Sequence, residues 1–159
     1  MNMRSLAVFC LLLCALGLAV THAYQSNEQS DYSKLRAEAE ALYAQASYSK
    51  ARDVYLKIAS QQLSPADARW LAFRLADTLW RGQAATKTAD STRYEDAREK
   101  LEVLIRDIQR EEDRDLVWAE VNESLGDFWW SRDDSKNWGQ GWQFYQHALD
   151  WWAGSPALD

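Results

Sequence analysis

The sequence predicts an all-α protein, built as an α-solenoid of about three antiparallel helix pairs. Residues that interrupt helices are scarce, with two prolines and six glycines among 159 residues. Apolar residues recur at spacings of three and four from Asp31 onward, as expected of amphipathic helices. Similar helix pairs also recur along the chain, which is typical of a helical solenoid.

The N-terminal residues have the three parts of a secretory signal peptide. Met1–Arg4 carries a positive charge, Leu6–Val20 is apolar, and Thr21–Ala23 provides a small residue at the cleavage position. The apolar run is shorter than the about 20 residues that span a bilayer. We therefore expect residues 1–23 to be a signal peptide, with an uncleaved anchor as the alternative.

The remaining chain divides into a polar, flexible leader at 24–30 and a helical repeat domain at 31–159. Both cysteines, Cys10 and Cys14, belong to the predicted signal peptide, so the exported domain has no disulfides. We expect a periplasmic or secreted protein with no transmembrane segment after signal cleavage. Removal of Arg4 changes the net charge from −6 to −7, and an acidic surface argues against nucleic acid as a partner.

Six helices are predicted from the apolar spacing. The clearest start is that of the third, where Ser64 can cap the helix, Pro65 suits its first position, and Asp67 stands where a capping box places an acid. Gly82–Ser91 is predicted to be a loop, after which the fourth helix runs to about Arg110. Helix five is predicted to have an acidic start at Glu111–Asp113. A polar turn at Ser131–Asn137 then leads to helix six, over about Trp138–Trp152.

The second, fourth and sixth helices share a pattern of large and small residues. It begins at Tyr48, recurs 46 residues later at Tyr94, and recurs again 44 residues later at Trp138. Three residues after each start stands a small residue, namely Ala51, Ala97 and Gly141. In each preceding helix a small residue comes three before a large one: Ala39 and Leu42, Ala76 and Leu79, Gly126 and Trp129. Small residues allow helix backbones to approach, so these positions are expected to be helix contacts.

These positions resemble the tetratricopeptide repeat (TPR). Leu35, Ala39, Leu42, Tyr48, Ala51 and Tyr55 fall at that family's intervals without a gap. The second copy needs about nine extra residues and the third about three, and only the first is followed by a proline, Pro65. The resemblance implies a right-handed α-solenoid of TPR-like antiparallel helix pairs, whereas another antiparallel helical array is the alternative.

Three segments are also similar to the helical leader of large bacterial alpha-2-macroglobulin-type proteins. They are Ala68–Trp80 and Glu123–Trp130, together with Asn137–Gln140. This resemblance implies that the chain is the N-terminal segment of an exported protease-trapping protein. The thioester motif and the β-rich trap domains of that family are missing from this sequence.

The exported chain offers no arrangement suited to catalysis. Its one histidine, His147, lies on predicted helix six, and no thiol remains. Trp138–Trp142 contains two glycines without the rest of a phosphate-binding pattern. The acidic clusters Glu111–Asp115 and Asp133–Asp134 suit solvated helix ends better than paired catalytic acids or calcium ligands. We predict a protein that is not an enzyme and has no catalytic, cofactor-binding or metal-binding residues.

Tryptophan is concentrated in the last third of the chain. Neighbouring residues on a helix point about 100° apart, so the adjacent pairs cannot bury both rings. A candidate interaction surface follows: Trp118, Trp129, Trp130, Trp138, Trp142, Trp151 and Trp152. We predict a protein-interaction or scaffolding module whose partner is another protein or further domains of the same polypeptide. A carbohydrate- or cell-wall-binding module is the alternative function, and a tryptophan-rich core between repeats is the alternative structure.

Overall fold

Helices form all the regular secondary structure in the residues that the computed structural model describes, which are 31–86, 91–131 and 137–154. They are α1 (residues 31–44), α2 (Tyr48–Ile58), α3 (Pro65–Thr86), α4 (Ser91–Ile105), α5 (Leu116–Ser131) and α6 (Trp138–Gly154), with a short 3-10 helix at Glu111–Asp113 before α5. The predicted all-α class is therefore confirmed for this part of the chain. The expected signal peptide (1–23) and leader (24–30) lie outside the described residues.

The predicted start of α3 is confirmed. The helix begins at Pro65, and the backbone N–H of Asp67 donates to Ser64 Oγ at 3.1 Å. The Ser64 hydroxyl in turn donates to the Asp67 carboxylate at 2.6 Å. This closed pair satisfies a backbone donor at the helix start, and it lowers the pKa of Asp67.

The turn between α1 and α2 ends the first helix with a left-handed residue. Ala46 has a φ of 55°. Its N–H donates to the Tyr43 carbonyl at 2.9 Å, and the Ser47 N–H donates to the Leu42 carbonyl at 3.0 Å. This pair of bonds is the Schellman motif, which normally places glycine at the left-handed position.

The predicted loop at Gly82–Ser91 is wrong at both ends. Helix α3 continues to Thr86, and α4 already begins at Ser91. Gly82 therefore lies inside a helix, where a Cβ atom would come within 3.1 Å of Ser49 Oγ on α2. The glycine serves close packing between α2 and α3 and does not break the helix. Residues 87–90 are outside the described part of the chain.

The boundary between α4 and α5 also differs from the prediction. Helix α4 ends at Ile105 and not near Arg110, and Glu111–Asp113 forms the 3-10 helix instead of the start of α5. The cap of α5 is Asp115, whose carboxylate accepts the Trp118 N–H at 2.8 Å. The acidic run contains several possible caps, and the spacing of apolar residues does not distinguish among them.

Helix α6 begins at Trp138, as predicted, and extends slightly beyond the predicted end, to Gly154. Asn137 caps it, because its side-chain oxygen accepts the Gln140 N–H at 3.1 Å. Helix α5 ends at Ser131, where the polar turn was expected to begin. The other residues of that turn, 132–136, lie outside the described residues.

Each helix packs on the next along the chain from α2 to α6, and α3 also packs on α5. The small residues expected at helix contacts are buried: Ala39, Ala51, Ala76, Ala97, Gly126 and Gly141. In the odd-numbered helices an acid follows each of them: Glu40, Asp77 and Asp127. The core is continuous from Tyr32 at the start of α1 to Phe128 in α5.

None of the helices in the described part of the chain combines the length and the apolar character needed to cross a bilayer.

Candidate interaction surface

Helix α6 is held against α5 by an unusually close approach of their backbones. A Cβ atom on Gly126 would lie 2.6 Å from the Tyr145 ring, and one on Gly141 would lie 3.3 Å from the Gly126 carbonyl oxygen. The Tyr145 hydroxyl donates to the Asp127 carboxylate at 2.6 Å. Burial and this hydrogen bond raise the pKa of Tyr145. These contacts fix which side of α6 faces away from the core.

Three of the seven candidate tryptophans are strongly exposed. The exposed fraction is 52% for Trp130, 63% for Trp138 and 55% for Trp142. A fourth large apolar residue, Leu149, is 60% exposed further along α6. We call Trp130, Trp138, Trp142 and Leu149 the aromatic patch.

The aromatic patch lies mainly on one side of α6. Trp138, Trp142 and Leu149 are spaced by four and seven residues, which places them within about 40° of one another around the helix. Trp130 joins them from α5, with its ring centroid 5.9 Å from that of Trp138 and the ring planes inclined by 32°. Sequence reasoning missed Leu149, although its helical spacing from Trp138 and Trp142 was a usable signal.

The other four tryptophans contribute to packing around α5 and α6. Trp118, expected at the surface, is buried, with the Arg114 guanidinium 4.7 Å from its ring centroid. The remaining three are partly buried: Trp129 packs edge-on against a core phenylalanine, Trp151 donates to the Arg114 carbonyl, and Trp152 donates to Glu123. In the adjacent pair Trp129–Trp130 one ring is packed and the other is exposed, as helix geometry requires. In the pair Trp151–Trp152 both rings are partly buried.

The surface of α6 carries very little charge. The helix contains no lysine, arginine or glutamate, and its only acid is Asp150. Its exposed polar side chains are Gln140, Gln143, Gln146, His147 and Asp150. His147 stacks beside Trp118, with ring centroids 6.2 Å apart. The aromatic patch is thus surrounded mainly by neutral amides in a chain whose net charge is −6.

A network of charged side chains, which sequence reasoning missed, joins the odd-numbered helices. Arg74 on α3 donates to Glu40 on α1 at 2.9 Å and to Glu120 on α5 at 3.4 Å. Burial raises the pKa of Glu120, and the charge of Arg74 opposes that shift. One guanidinium therefore connects three helices. Its signal in the sequence is only an arginine within an apolar helix.

Asp77 on α3 is a second centre of this network. Its fully buried carboxylate accepts hydrogen bonds from the Tyr43 hydroxyl at 2.7 Å, from Ser124 Oγ at 2.5 Å and from Arg81 Nε at 2.8 Å. Burial raises the pKa of Tyr43. Trp80 Nε1 donates to Ser124 at 3.0 Å and extends the network. Since Asp77 is surrounded by hydrogen-bond donors, the network is suited to holding helices together.

An open groove of about 550 Å³ lies between α2 and α4, with α3 as its floor. Leu75 and Leu79 form part of the apolar floor, and the charged side chains Arg52 and Glu99 stand at the rim. Arg52 donates across the groove's end to the Leu75 carbonyl at 2.6 Å. The groove is concave and rimmed by charge, whereas the aromatic patch is an outward, nearly uncharged face.

In the described ranges, no three His, Cys, Asp or Glu side chains come together in a way that could hold a metal ion. Comparisons with known protein families, with curated proteins and with solved structures found no match to this chain.

Proposed function

We propose that this chain is an exported, non-catalytic protein-interaction module, built as a right-handed α-solenoid of three TPR-like helix pairs. The observation that carries the proposal is the exposure of Trp130, Trp138 and Trp142 together on the last helix pair. Contiguous exposed apolar patches mark interaction sites, and tryptophan is among the residues that dominate binding energy at protein interfaces.

Equivalent contacts in the first and last helix pairs support the repeat architecture. Tyr55 on α2 donates to Glu40, the acid that follows the small residue of α1. Tyr145 on α6 donates to Asp127, the acid that follows the small residue of α5. Helix α3 also packs on α5, and contact between the first helices of successive pairs is expected when repeats stack.

The chemistry of the aromatic patch favours a protein partner. Interface centres are depleted in charge and enriched in aromatic residues, as α6 is. The net negative charge of the chain disfavours a polyanion at the same surface. The partner is another protein chain, or a further domain of the same polypeptide, as the alpha-2-macroglobulin-type resemblance implies. The reading frame of the gene beyond Asp159 tests that second source.

Affinity capture with matched variants tests the proposal. Trp142→Glu places a charge inside the aromatic patch, and Leu56→Glu places one at an exposed leucine on α2, outside it. We expect wild type and the Leu56 variant to retain the same protein from an envelope extract, and the Trp142 variant to lose it. Equal retention by all three proteins would exclude the patch as the docking surface.

A carbohydrate-binding module is the second candidate, and one observation favours it. The exposed rings of Trp130 and Trp138 lie close together with only 32° between their planes, beside the neutral side chains of Asn137 and Gln140. Such a platform suits stacking against sugar rings. Retention on purified cell-wall polysaccharide that is abolished by Trp138→Ala supports this candidate, and unchanged elution on that matrix removes it.

A further inference from the structure

The face of α6 that carries the aromatic patch corresponds to the face by which earlier even-numbered helices bind their next neighbour. Tyr48, at the start of α2, packs beside Gly82 of α3. One turn later, Arg52 donates to a carbonyl of α3. Trp138 and Trp142 occupy the corresponding positions of α6, at the same spacing of four residues. They therefore stand where a following helix is bound elsewhere in the molecule.

Helix α4 shows the same relation at the first of these two positions, whereas Arg98, the counterpart of Arg52, pairs with Glu95 and Glu102 within α4. Tyr94, at its start, contacts Phe128 of α5 edge-on, with ring centroids 6.1 Å apart. Helix α4 packs on both α3 and α5, whereas α6 packs chiefly on α5. The aromatic patch therefore occupies positions on α6 that, on the earlier even-numbered helices, contact the next helix. A helix is accordingly the element that fits it.

We propose that this helix is α6 of a second copy, so that two copies pair through their aromatic patches about a twofold axis. In the antiparallel pairing, Trp138 of one copy faces Leu149 of the other, and the two Trp142 rings meet near the axis. This inference rests on the proposed function and names the partner of the same surface.

The low charge of α6 is compatible with a second copy of this acidic chain at this face. Identical acidic chains repel each other over most of their surface, since the net charge is −6. Helix α6 lacks lysine, arginine and glutamate, and its single acid, Asp150, lies about 100° around the helix from Leu149. Two α6 helices can therefore meet without bringing acids into contact.

The area of the patch is sufficient for a weak, specific dimer. Since a large aromatic side chain can bury up to about 250 Å², the patch exposes roughly 500 Å² in each copy. Two patches facing each other then bury roughly 1,000 Å², and the rim glutamines raise this toward the about 1,200 Å² of small specific interfaces.

The opposite end of the described chain favours a closed pair over a filament. The outward side of α1 presents Lys34, Glu38, Ala41 and Gln45, and α1 exposes no large apolar side chain among the described residues. A head-to-tail assembly needs complementary surfaces at both ends. Among the described residues, the α6 end has a cluster of exposed large apolar side chains and α1 has none, so pairing of like ends fits better than head-to-tail growth between these two ends.

Sedimentation velocity of the full chain over a range of concentrations tests the pairing. Wild type and Leu56→Glu are expected to form a monomer–dimer equilibrium with the same dissociation constant. Trp142→Glu, which places a charge near the axis in both copies, is expected to raise that constant at least about 100-fold. Circular dichroism and the unfolding midpoint of each variant show whether the fold is retained.

Cross-linking tests the orientation. Gln146→Cys lies beside the proposed axis, and Gln45→Cys at the α1 end is its matched control, with Cys10 and Cys14 replaced by serine in both. A short bismaleimide is expected to join copies of the first variant and not of the second. A monomeric wild type, a dimer unaffected by Trp142→Glu, growth beyond the dimer, or cross-linking through Gln45→Cys would each overturn the pairing. If a monomeric chain still captures a different protein through Trp142, only this inference fails, whereas loss of both results removes the proposed function as well.

Discussion

The first and last helices of the described chain differ in the contacts that attach them and in what their outward sides expose. Helix α1 is held by polar contacts: Tyr32 and Arg36 donate to Asp67, Tyr43 donates to Asp77, and Glu40 pairs with Arg74. Its outward side is polar as well. Helix α6 combines hydrogen bonds from Tyr145 and Trp152 with a glycine-mediated backbone approach, and its outward side carries the aromatic patch.

At each end, the type of side chain that attaches the helix to its neighbours goes with the type of side chain that its outward side exposes. At the α1 end, polar side chains that cross between helices leave a surface that water already solvates. At the α6 end, aromatic residues on several sides of one helix cannot all pack on a single neighbour. The second arrangement leaves apolar surface without a cover in the described chain, and that surface is the basis of the functional proposal.

The largest effect is expected from removing Arg74, which ties α1 to α5. Arg74→Met leaves Glu40 and Glu120 without their shared cation, and we expect the free energy of unfolding at neutral pH to fall by about 2–3 kcal/mol, a value reduced for the partial exposure of both acids. Arg98→Met, which removes the pairs with Glu95 and Glu102 within α4, is the control and should cost about 0.5 kcal/mol.

The effect of Arg74→Met should also depend on pH. Because burial raises the pKa of Glu120, the folded state holds its proton more tightly than the unfolded state does, and stability falls as pH rises above the usual value of 4.5. Without Arg74 this pKa rises further, so the loss should be larger at pH 7 than at pH 4 in urea unfolding. An equal loss at both pH values contradicts the charge argument.

At the α6 end, Gly126→Ala should lower the free energy of unfolding by about 2 kcal/mol. The added methyl group meets the Tyr145 ring, and the cost of overpacking exceeds the gain in helix propensity. Gly139→Ala is the matched control, because its Cβ would contact only the Asn137 side chain, at 3.5 Å. If thermal unfolding finds both variants equally stable, the close approach of α5 and α6 is wrong.

Substitutions at two tryptophans compare the stability contribution of a buried indole with that of an exposed one. Trp80→Phe keeps an aromatic ring against Phe128 but removes the buried N–H that donates to Ser124, and should cost about 1–2 kcal/mol. Trp142→Gln, at an exposed site, should change stability by less than about 0.5 kcal/mol in dilute solution. Chemical unfolding of both variants makes the comparison, and a larger loss at Trp142 contradicts its exposure.

The smallest effect has the opposite sign. Ala46→Gly removes the cost of a left-handed alanine at the end of α1 and should stabilise the protein by about 0.5–1 kcal/mol. Ala41→Gly, five residues earlier and inside α1, is the control and should destabilise by about 1 kcal/mol. Unfolding midpoints that move in the same direction for both variants would show that the turn is misplaced.

The parts of the fold that local chemistry specifies were predictable from the sequence. The capping box at Ser64 and the start of α6 at Trp138 agree with the structure, as do the buried small residues such as Ala51 and Ala97. The end of α3 was not predictable, because Gly82 signals a break locally and only its contact with α2 explains its place within a helix.

The candidate surface was predictable only in part. Adjacent tryptophans require some exposure, but which ring of Trp129 and Trp130 packs depends on the direction in which α5 faces its neighbours. Trp118 resembles the other tryptophans in sequence and is nevertheless buried beneath Arg114 and His147. The network around Arg74 and Asp77 depends on contacts between residues more than 30 positions apart, which one sequence does not reveal.

Oxidative footprinting of tryptophan in intact cells tests most directly whether the aromatic patch is a docking surface. Modification of Trp130, Trp138 and Trp142 is compared with that in dilute purified protein, and buried Trp80 serves as the internal reference. The account predicts that the three patch residues react readily in dilute protein and several-fold less in the cell, while Trp80 stays protected in both. Equal modification of the patch in the two settings would contradict the account.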